Sequence, residues 1–158
     1  MSNAQLTKNG VNGPLILNIP ADSVTAIYSA ALDAPPEDST LPKTGCAVAT
    51  SFRGYHGYSV RETGREAKAA IDLAAKPKWG KKPRDWVELT CGESDASFFT
   101  PGAITGFEEV EVKIPGQDEL HRRYRVHIRR HDGQFTEADV DASPANLETL
   151  NKAAENKD

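Results

Sequence analysis

The chain has 158 residues, 27% of them charged and 38% apolar. This size and balance predict one ordinary globular domain or two very small ones, and they exclude a mostly disordered chain. The formal net charge of −4 argues against a general nucleic-acid binder, and no apolar run approaches the roughly eighteen residues that a membrane span needs.

The N-terminal segment 1–13 has neither the basic start nor the apolar stretch of a signal peptide. The two cysteines, Cys46 and Cys91, stand in no CxxC pattern and suit reduced, structural thiols better than a disulfide framework or a zinc site. We therefore expect a cytoplasmic protein, either in its own cell or, for a phage protein, in the host cytoplasm or on the particle.

The first half predicts a series of short strands followed by one helix. Apolar and β-branched runs predict strands at 15–19, at 24–28, at 46–52 and from Tyr58 onward. The proline-rich segment 33–45 predicts a long exposed loop. Thr63 and Glu66 have the spacing of a capping box, which predicts a helix over 65–75 that Pro77 ends.

The second half predicts the same order of elements after a basic connector, 77–84. Strands are predicted at 86–90, 97–100, 104–114, 124–130 and 135–140. Ser143 followed by Pro144 predicts the start of a final helix, because serine caps helices and proline suits the first helical position.

Several landmarks recur about half a chain apart, which predicts an internal repeat. Leu6-Thr7 matches Leu89-Thr90, Pro20 matches Pro101, and 24–27 matches 104–107. We predict an α+β, mostly β fold in which 1–76 and 85–158 form two similar small antiparallel β units. Each unit ends in one helix, and the two pack on one another as a pseudo-dimer. The alternative is a single α+β domain whose similar hairpins share turn chemistry.

The opening of the chain also resembles a known family. Leu6-Thr7, Asn9-Gly10, 17–20 and 24–27 are similar to the start of the small FlbD-type bacterial proteins of flagellar and swarming systems. The chain departs from that family in being doubled and in its 33–45 loop. The resemblance implies a fold of this kind for each half and supplies no catalytic residues.

The strand pair within 86–130 is the strongest candidate for a functional surface. Alternation places Arg123, Arg125, His127 and Arg129 on one face of a strand, at a spacing of roughly 6–7 Å that could grip successive phosphates or carboxylates. The alternative is that Glu109 and Glu111 on the neighbouring strand pair with Arg125 and its neighbours in a solvated ladder of ion pairs.

Three further groups of residues are candidate sites. Arg53 and Tyr55 lie in an aromatic, basic hairpin tip that could stack a base, or could cover a core edge or touch a partner. The connector 78–84, flanked by Trp79 and Trp86, could contact nucleic acid, although tryptophans there suit plugs between the halves. His121, His127 and His131 suit a polar surface better than a metal site.

No GxSxG, Walker A, GxGxxG or HExxH pattern occurs in the chain. We therefore predict a non-catalytic, β-rich interaction or assembly protein without a cofactor, acting as a homo-oligomer or within a larger complex, as a phage or accessory bacterial component. The first alternative is a protein that binds or sequesters an anionic small molecule such as a nucleotide through Arg123, Arg125, His127 and Arg129, with Arg53 and Tyr55. The second alternative is a nucleic-acid-binding accessory protein.

Overall fold

The structure is a computed structural model, which describes residues 3–10, 13–31, 44–50, 58–75, 85–91, 95–113, 118–129 and 135–155. The described residues form ten strands, two α-helices and two short 3-10 turns. All strand pairs are antiparallel. The predicted class, α+β with β predominating, is confirmed.

The first half contains five strands and a helix. They are β1 (Asn3–Gly10), β2 (Gly13–Pro20), β3 (Val24–Ala31), β4 (Thr44–Thr50), β5 (Tyr58–Val60) and α1 (Gly64–Ala74). The predicted strand at 15–19 is thus part of a longer hairpin with β1. Gly13 has a φ of 138°, a conformation that only glycine adopts without strain, and this lets the chain turn between β1 and β2.

The second half repeats this order. It contains β6 (Val87–Cys91), β7 (Asp95–Phe99), β8 (Ile104–Lys113), β9 (Leu120–Arg129), β10 (Phe135–Asp141) and α2 (Pro144–Glu155). In each half a 3-10 turn follows the second strand, at Ala21–Ser23 and at Pro101–Ala103. The recurrence of elements that the sequence predicts is therefore present. The pseudo-dimeric packing of the two halves stays a prediction, as does the predicted division at the connector, which lies outside the described residues.

The largest sheet takes strands from both halves. Its order is β5-β4-β3-β7-β6, and the two halves meet where Ala26 and Ile27 of β3 lie opposite Phe99 and Phe98 of β7. The other sheets are β10-β9-β8 and the β1-β2 hairpin. Because β3 and β7 share one ladder, the two halves cannot separate without breaking backbone hydrogen bonds.

Two lateral contacts extend this order. At one end, the Arg61 amide donates to the Thr7 carbonyl at 2.7 Å, which sets β1 beside the end of β5. At the other end, β10 lies against β6, and the Cys91 thiol is 3.8 Å from the Asp139 carbonyl oxygen. The strands thus follow one another in the order β2, β1, β5, β4, β3, β7, β6, β10, β9, β8. The two ends of this series are β2 and β8.

Helix α1 starts against the second half of the chain. The capping box is present as predicted: the Thr63 hydroxyl accepts from the Glu66 amide, and the Glu66 carboxylate accepts from the Thr63 amide. The Asp95 carboxylate of β7 accepts from the Gly64 and Arg65 amides, each at 3.2 Å. A Cβ at Gly64 would lie 2.1 Å from the Ala96 carbonyl oxygen, so this close approach requires glycine.

Two apolar clusters fill the protein. The first surrounds α1 and contains Ala4, Leu6, Ile19, Ala21, Val24, Ile27, Cys46, Val48, Val60, Ala67, Ile71, Ala96 and Phe98. The second surrounds α2 and contains Ala26, Ala49, Leu89, Phe99, Ala103, Ile104, Val126, Ile128, Ala138, Val140 and Leu150. Each cluster thus includes side chains from the opposite half, because β3 and β7 expose one face to each cluster.

Trp86 joins the two halves as the sequence predicts for a tryptophan plug. Its indole N–H donates to the Asp72 carboxylate of α1 at 2.8 Å, and its ring meets the Phe98 ring edge-on with centroids 6.4 Å apart. Trp79, the other predicted plug, lies outside the described residues.

Candidate functional site

The predicted basic face lies on β9. Its side chains alternate, so that Val126 and Ile128 are buried while His121, Arg123, Arg125, His127 and Arg129 share the opposite face. Arg123, Arg125 and His127 are partly buried, and Arg129 is exposed. Four of the six predicted site residues therefore share one face of one strand. Arg53 and Tyr55 lie outside the described residues.

The predicted pairing of this face with Glu109 and Glu111 is wrong. Glu109 lies opposite Tyr124 and Glu111 opposite Arg122, on the other face of the sheet. The residue that β8 places opposite Arg125 is Glu108. The reason is the register, because a shift of one residue moves every side chain to the other face. The Glu109 carboxylate instead pairs with Arg122 at 2.7 Å, and both side chains are more than half exposed.

The acidic partners of the basic face come from β10. Its register places Asp141 opposite Arg123, Asp139 opposite Arg125 and Glu137 opposite His127. Arg123 and Asp141 form an ion pair. The Arg125 guanidinium donates twice to Asp139, from Nε at 2.9 Å and from a terminal nitrogen at 3.1 Å. Such a two-point contact is the strongest geometry available to arginine and a carboxylate.

These pairs set the charge of the face. The hydrogen bonds and the negative charge of Asp139 raise the pKa of Arg125 above its usual value. The Glu137 carboxylate lies 3.6 Å from Arg125 Nε and 3.7 Å from His127 Nδ1, which is too long for a strong hydrogen bond. Two arginines are therefore held by two aspartates, and an incoming anion would have to displace Asp139 or Asp141 to reach them.

The remaining basic side chains are held less firmly. His127 also lies 3.9 Å from Glu108 and carries charge only when protonated. Arg129 lies opposite Phe135 and forms no ion pair within the described part of the chain. Histidines 121 and 127 belong to no group of three or more potential metal ligands among the described residues, and His131 lies outside them.

A second surface, which the sequence reading did not single out, is the outer side of β2. Its side chains Leu15 and Ile16 are 50% and 70% exposed, the latter the most exposed large apolar side chain described. The strand carries no charged residue between Gly13 and Pro20. Protein edges are usually protected by charge or by proline, and β2 has proline only at its ends, Pro14 and Pro20.

The backbone of β2 shows which groups face outward. The Thr7 amide donates to the Glu62 carboxylate at 2.8 Å, and the Thr7 carbonyl accepts from Arg61, so both groups point away from β2. Ile16 lies opposite Thr7, and in an antiparallel ladder its own groups must point away from β1 as well. Because this direction alternates, Pro14, Ile16, Asn18 and Pro20 direct their backbone groups outward. Among the described residues, β1 is the sole strand that pairs with β2.

The signal for this surface was present in the sequence as an uncharged apolar strand with a proline near each end. The sequence predicts a strand at 15–19, and this strand is confirmed as part of β2. Its position at an edge depends on which strands pair, and a local pattern does not contain that information.

Comparisons with known proteins identify no relative of this chain, so a functional proposal rests on the geometry described above. A scan against protein-family models found no matching family, and searches of the curated proteins and of the solved structures found no match. The likeness to FlbD-type proteins therefore stays a resemblance. Neither helix of the described residues has the length and apolar character that crossing a bilayer requires.

Proposed function

We propose that the chain is a β-rich interaction protein that acts through the outer edge of β2, as an oligomer or within a larger assembly in the cytoplasm. The observation that carries this proposal is the combination of an uncharged edge strand with exposed apolar side chains, Leu15 and Ile16. An edge of this kind presents unpaired amides and carbonyls to other strands, and apolar side chains beside them add buried area on association.

The test is the sedimentation of the purified chain over a range of concentrations. We expect the wild type to associate, and we expect Ile16→Asp to remain a monomer because the new carboxylate would be desolvated at the junction. Leu73→Asp is the matched control, since Leu73 is 68% exposed and belongs to α1, not to the β2 edge. It should associate like the wild type, and circular dichroism should show both variants folded.

A wild type that stays monomeric at every concentration would contradict the proposal. Equal loss of association in Ile16→Asp and Leu73→Asp would contradict the assignment to β2. Such a result would place the contact elsewhere on the surface.

Binding of an anionic small molecule stays a second candidate, supported by the shared face of Arg123, Arg125, His127 and Arg129. The aspartates of β10 oppose it, because they already occupy Arg123 and Arg125. If this candidate holds, calorimetry with a nucleotide should show binding that strengthens in Asp139→Asn, where Arg125 loses its partner. Absence of binding in both proteins would exclude it. Nucleic-acid binding through 78–84 stays a prediction, since that segment lies outside the described residues.

A further inference from the structure

The two halves contain counterpart strands that can be matched residue by residue. In β1 the Thr7 backbone is bound by Arg61 and Glu62, and Thr7 lies opposite Ile16 of β2. In β6 the Thr90 amide and carbonyl are bound by the Asn146 side chain at 2.9 and 3.0 Å, and Thr90 lies opposite Ala96 of β7. The outward positions Ile16 and Asn18 of β2 therefore correspond to Ala96 and Phe98 of β7.

The strands β3 and β8 are counterparts by the same kind of argument. The register with the next strand shifts between Val24 and Ala26 in β3, and between Ile104 and Gly106 in β8. The hydroxyl of the intervening threonine bonds across the shift in both cases, from Thr25 to the Ala49 carbonyl at 3.4 Å and from Thr105 to the His127 carbonyl at 3.2 Å. Ile27 of β3 thus corresponds to Phe107 of β8.

One of the two junctions that these counterparts define is formed within the chain. Phe98 of β7 lies opposite Ile27 of β3, and the Thr100 amide donates to the Thr25 carbonyl at 2.9 Å. The equivalent junction would join β2 to β8. Within the described residues β2 pairs with β1 alone and β8 with β9 alone, so both outer edges of that second junction are open.

We propose that β2 of one copy pairs antiparallel with β8 of a second copy, in the register of the β3–β7 junction. This rests on the proposed function and names its partner. Transferred position by position, the register places Asn18 opposite Phe107. Continued beyond the last observed partners, Ile27 and Phe98, the same register places Ile16 opposite Glu109. Each copy contributes one β2 and one β8, so a pair of copies in which both junctions form leaves neither edge open, whereas one junction per pair would extend the series from copy to copy.

The chemistry of β2 fits this occupant. Its outward amides are those of Ile16 and Asn18, because Pro14 and Pro20 have none. These two amides would donate to the carbonyls of Glu109 and Phe107, and the prolines confine the ladder to the middle of the strand. Since β2 is uncharged, the exposed Glu109 would meet no like charge there.

The second copy is favoured over the same chain because β2 and β8 form no ladder with each other within the described residues. The strands β2 and β8 stand at opposite ends of the series of neighbouring strands, and the chain itself carries the edge that complements β2. A second copy therefore supplies the complementary edge without rearrangement of either sheet.

Disulfide trapping tests this pairing. Ile16→Cys and Glu109→Cys would be prepared separately in a Cys91→Ser background and mixed under mild oxidation. Directly opposed residues of a hydrogen-bonded pair have Cα atoms about 5.5 Å apart, which lies within the range for a disulfide of roughly 4.4–6.8 Å. We expect a mixed covalent dimer, several-fold more abundant than from Leu73→Cys mixed with Glu109→Cys, the matched control.

The double variant Ile16→Cys/Glu109→Cys distinguishes the two sources of β8. Covalent dimers support the proposal, whereas a monomer with an internal disulfide would overturn it by joining β2 to β8 of the same chain. Association of the wild type, together with no mixed disulfide between the two cysteine variants, would overturn this pairing and leave the proposed function standing. A monomeric wild type, together with no mixed disulfide between the cysteine variants, would overturn both this pairing and the proposed function.

Discussion

The strands β2 and β7 hold equivalent positions in the two halves and have opposite environments. In β7, Ala96 and Phe98 are buried in the first apolar cluster, between the strand and α1. In β2, the corresponding Ile16 and Asn18 are exposed. At Ile16 and Ala96 the difference does not follow from apolar character, since isoleucine is more apolar than alanine. It follows from the neighbours, because β7 lies between β3 and β6, whereas β2 pairs with β1 alone among the strands that the structure describes.

The comparison shows that the second strand of each half can lie either in the centre of a sheet or at its edge. Where this strand finds a partner within the chain, it becomes the centre of a sheet and stabilises the fold. Where it does not, the same strand is left as an edge that another chain can extend. Four predictions test this contrast, in order of expected effect.

The largest effect is expected at Phe98 and its counterpart. Phe98→Ala removes a ring that is 1% exposed and packs against Trp86, so it should lower the free energy of unfolding by about 3–5 kcal/mol. Asn18→Ala, at the exposed equivalent, should change it by less than about 0.5 kcal/mol. Urea titrations of the two variants at a low protein concentration measure the difference. Equal losses would contradict the contrast between the strands.

The next effect concerns the approach of α1 to β7. Gly64→Ala places a methyl group against the Ala96 backbone carbonyl, so the helix and β7 must move apart. We expect a loss of about 1–3 kcal/mol in unfolding free energy, as for other overpacked sites. Gly102→Ala is the control, because a Cβ there meets no atom within 4 Å. Thermal denaturation compares the two, and an unaffected Gly64→Ala would refute the close contact.

A third prediction compares the groups that bind Thr7 and Thr90. Asn146 is 2% exposed and bonds the Thr90 amide, the Thr90 carbonyl and the Asp141 carbonyl. Asn146→Ala removes these three bonds and should lower the free energy of unfolding by about 1–3 kcal/mol. Glu62→Ala should cost less, because the Thr7 carbonyl keeps its bond from Arg61. A larger loss in Glu62→Ala would reverse the expected order in denaturant titrations.

The smallest effect at neutral pH is expected at Cys46. Burial, followed by the charges of Asp95, Glu62 and Glu66, raises the pKa of Cys46 to about 12. An unfolded thiol loses its proton near pH 8.5. The unfolded state is therefore favoured as the pH rises from about 8.5 towards about 12, and the stability that the neutral thiol provides below this window is lost across it.

The measurement is the unfolding free energy of wild type and Cys46→Ala between about pH 7 and 10.5. The stability of the wild type should fall more steeply with rising pH than that of Cys46→Ala. This difference in slope should vanish below about pH 8. The buried members of the second apolar cluster include no cysteine or other titratable side chain, so this sensitivity belongs to the first cluster. Identical slopes for the two proteins would show that Cys46 does not cause it.

Much of the local structure could be predicted from the sequence. The capping box of Thr63 and Glu66, and the alternation that puts Arg123, Arg125 and His127 on one face, depend on residues near one another in the chain. Such patterns reflect backbone geometry alone. For the same reason the order of elements in the second half could be matched to that in the first.

What could not be predicted depends on register and on distant pairing. The assignment of Glu109 and Glu111 to the basic face failed because alternation along one strand does not fix its register on the next, and the register of β8 on β9 places Glu109 opposite Tyr124. The sequence analysis took the carboxylate partners of the basic face from β8 alone. Asp139 and Asp141 come from β10, which borders β9 on its other side. The pairing of β3 with β7 joins residues more than seventy positions apart, for instance Ala26 and Phe99, and only tertiary packing decides it.

The most direct test of the central claim is amide hydrogen exchange at the outward positions of β2 and β7, measured at low and high protein concentration. The amides of Ala96 and Phe98 should be protected at both concentrations, because Phe98 lies opposite Ile27 of β3 and the Ala96 amide donates to the Asp95 carboxylate. Those of Ile16 and Asn18 should exchange rapidly at low concentration and become protected as the chain associates. Rapid exchange at Ile16 and Asn18 at every concentration, or protection already in the monomer, would contradict the assignment of the β2 edge to assembly.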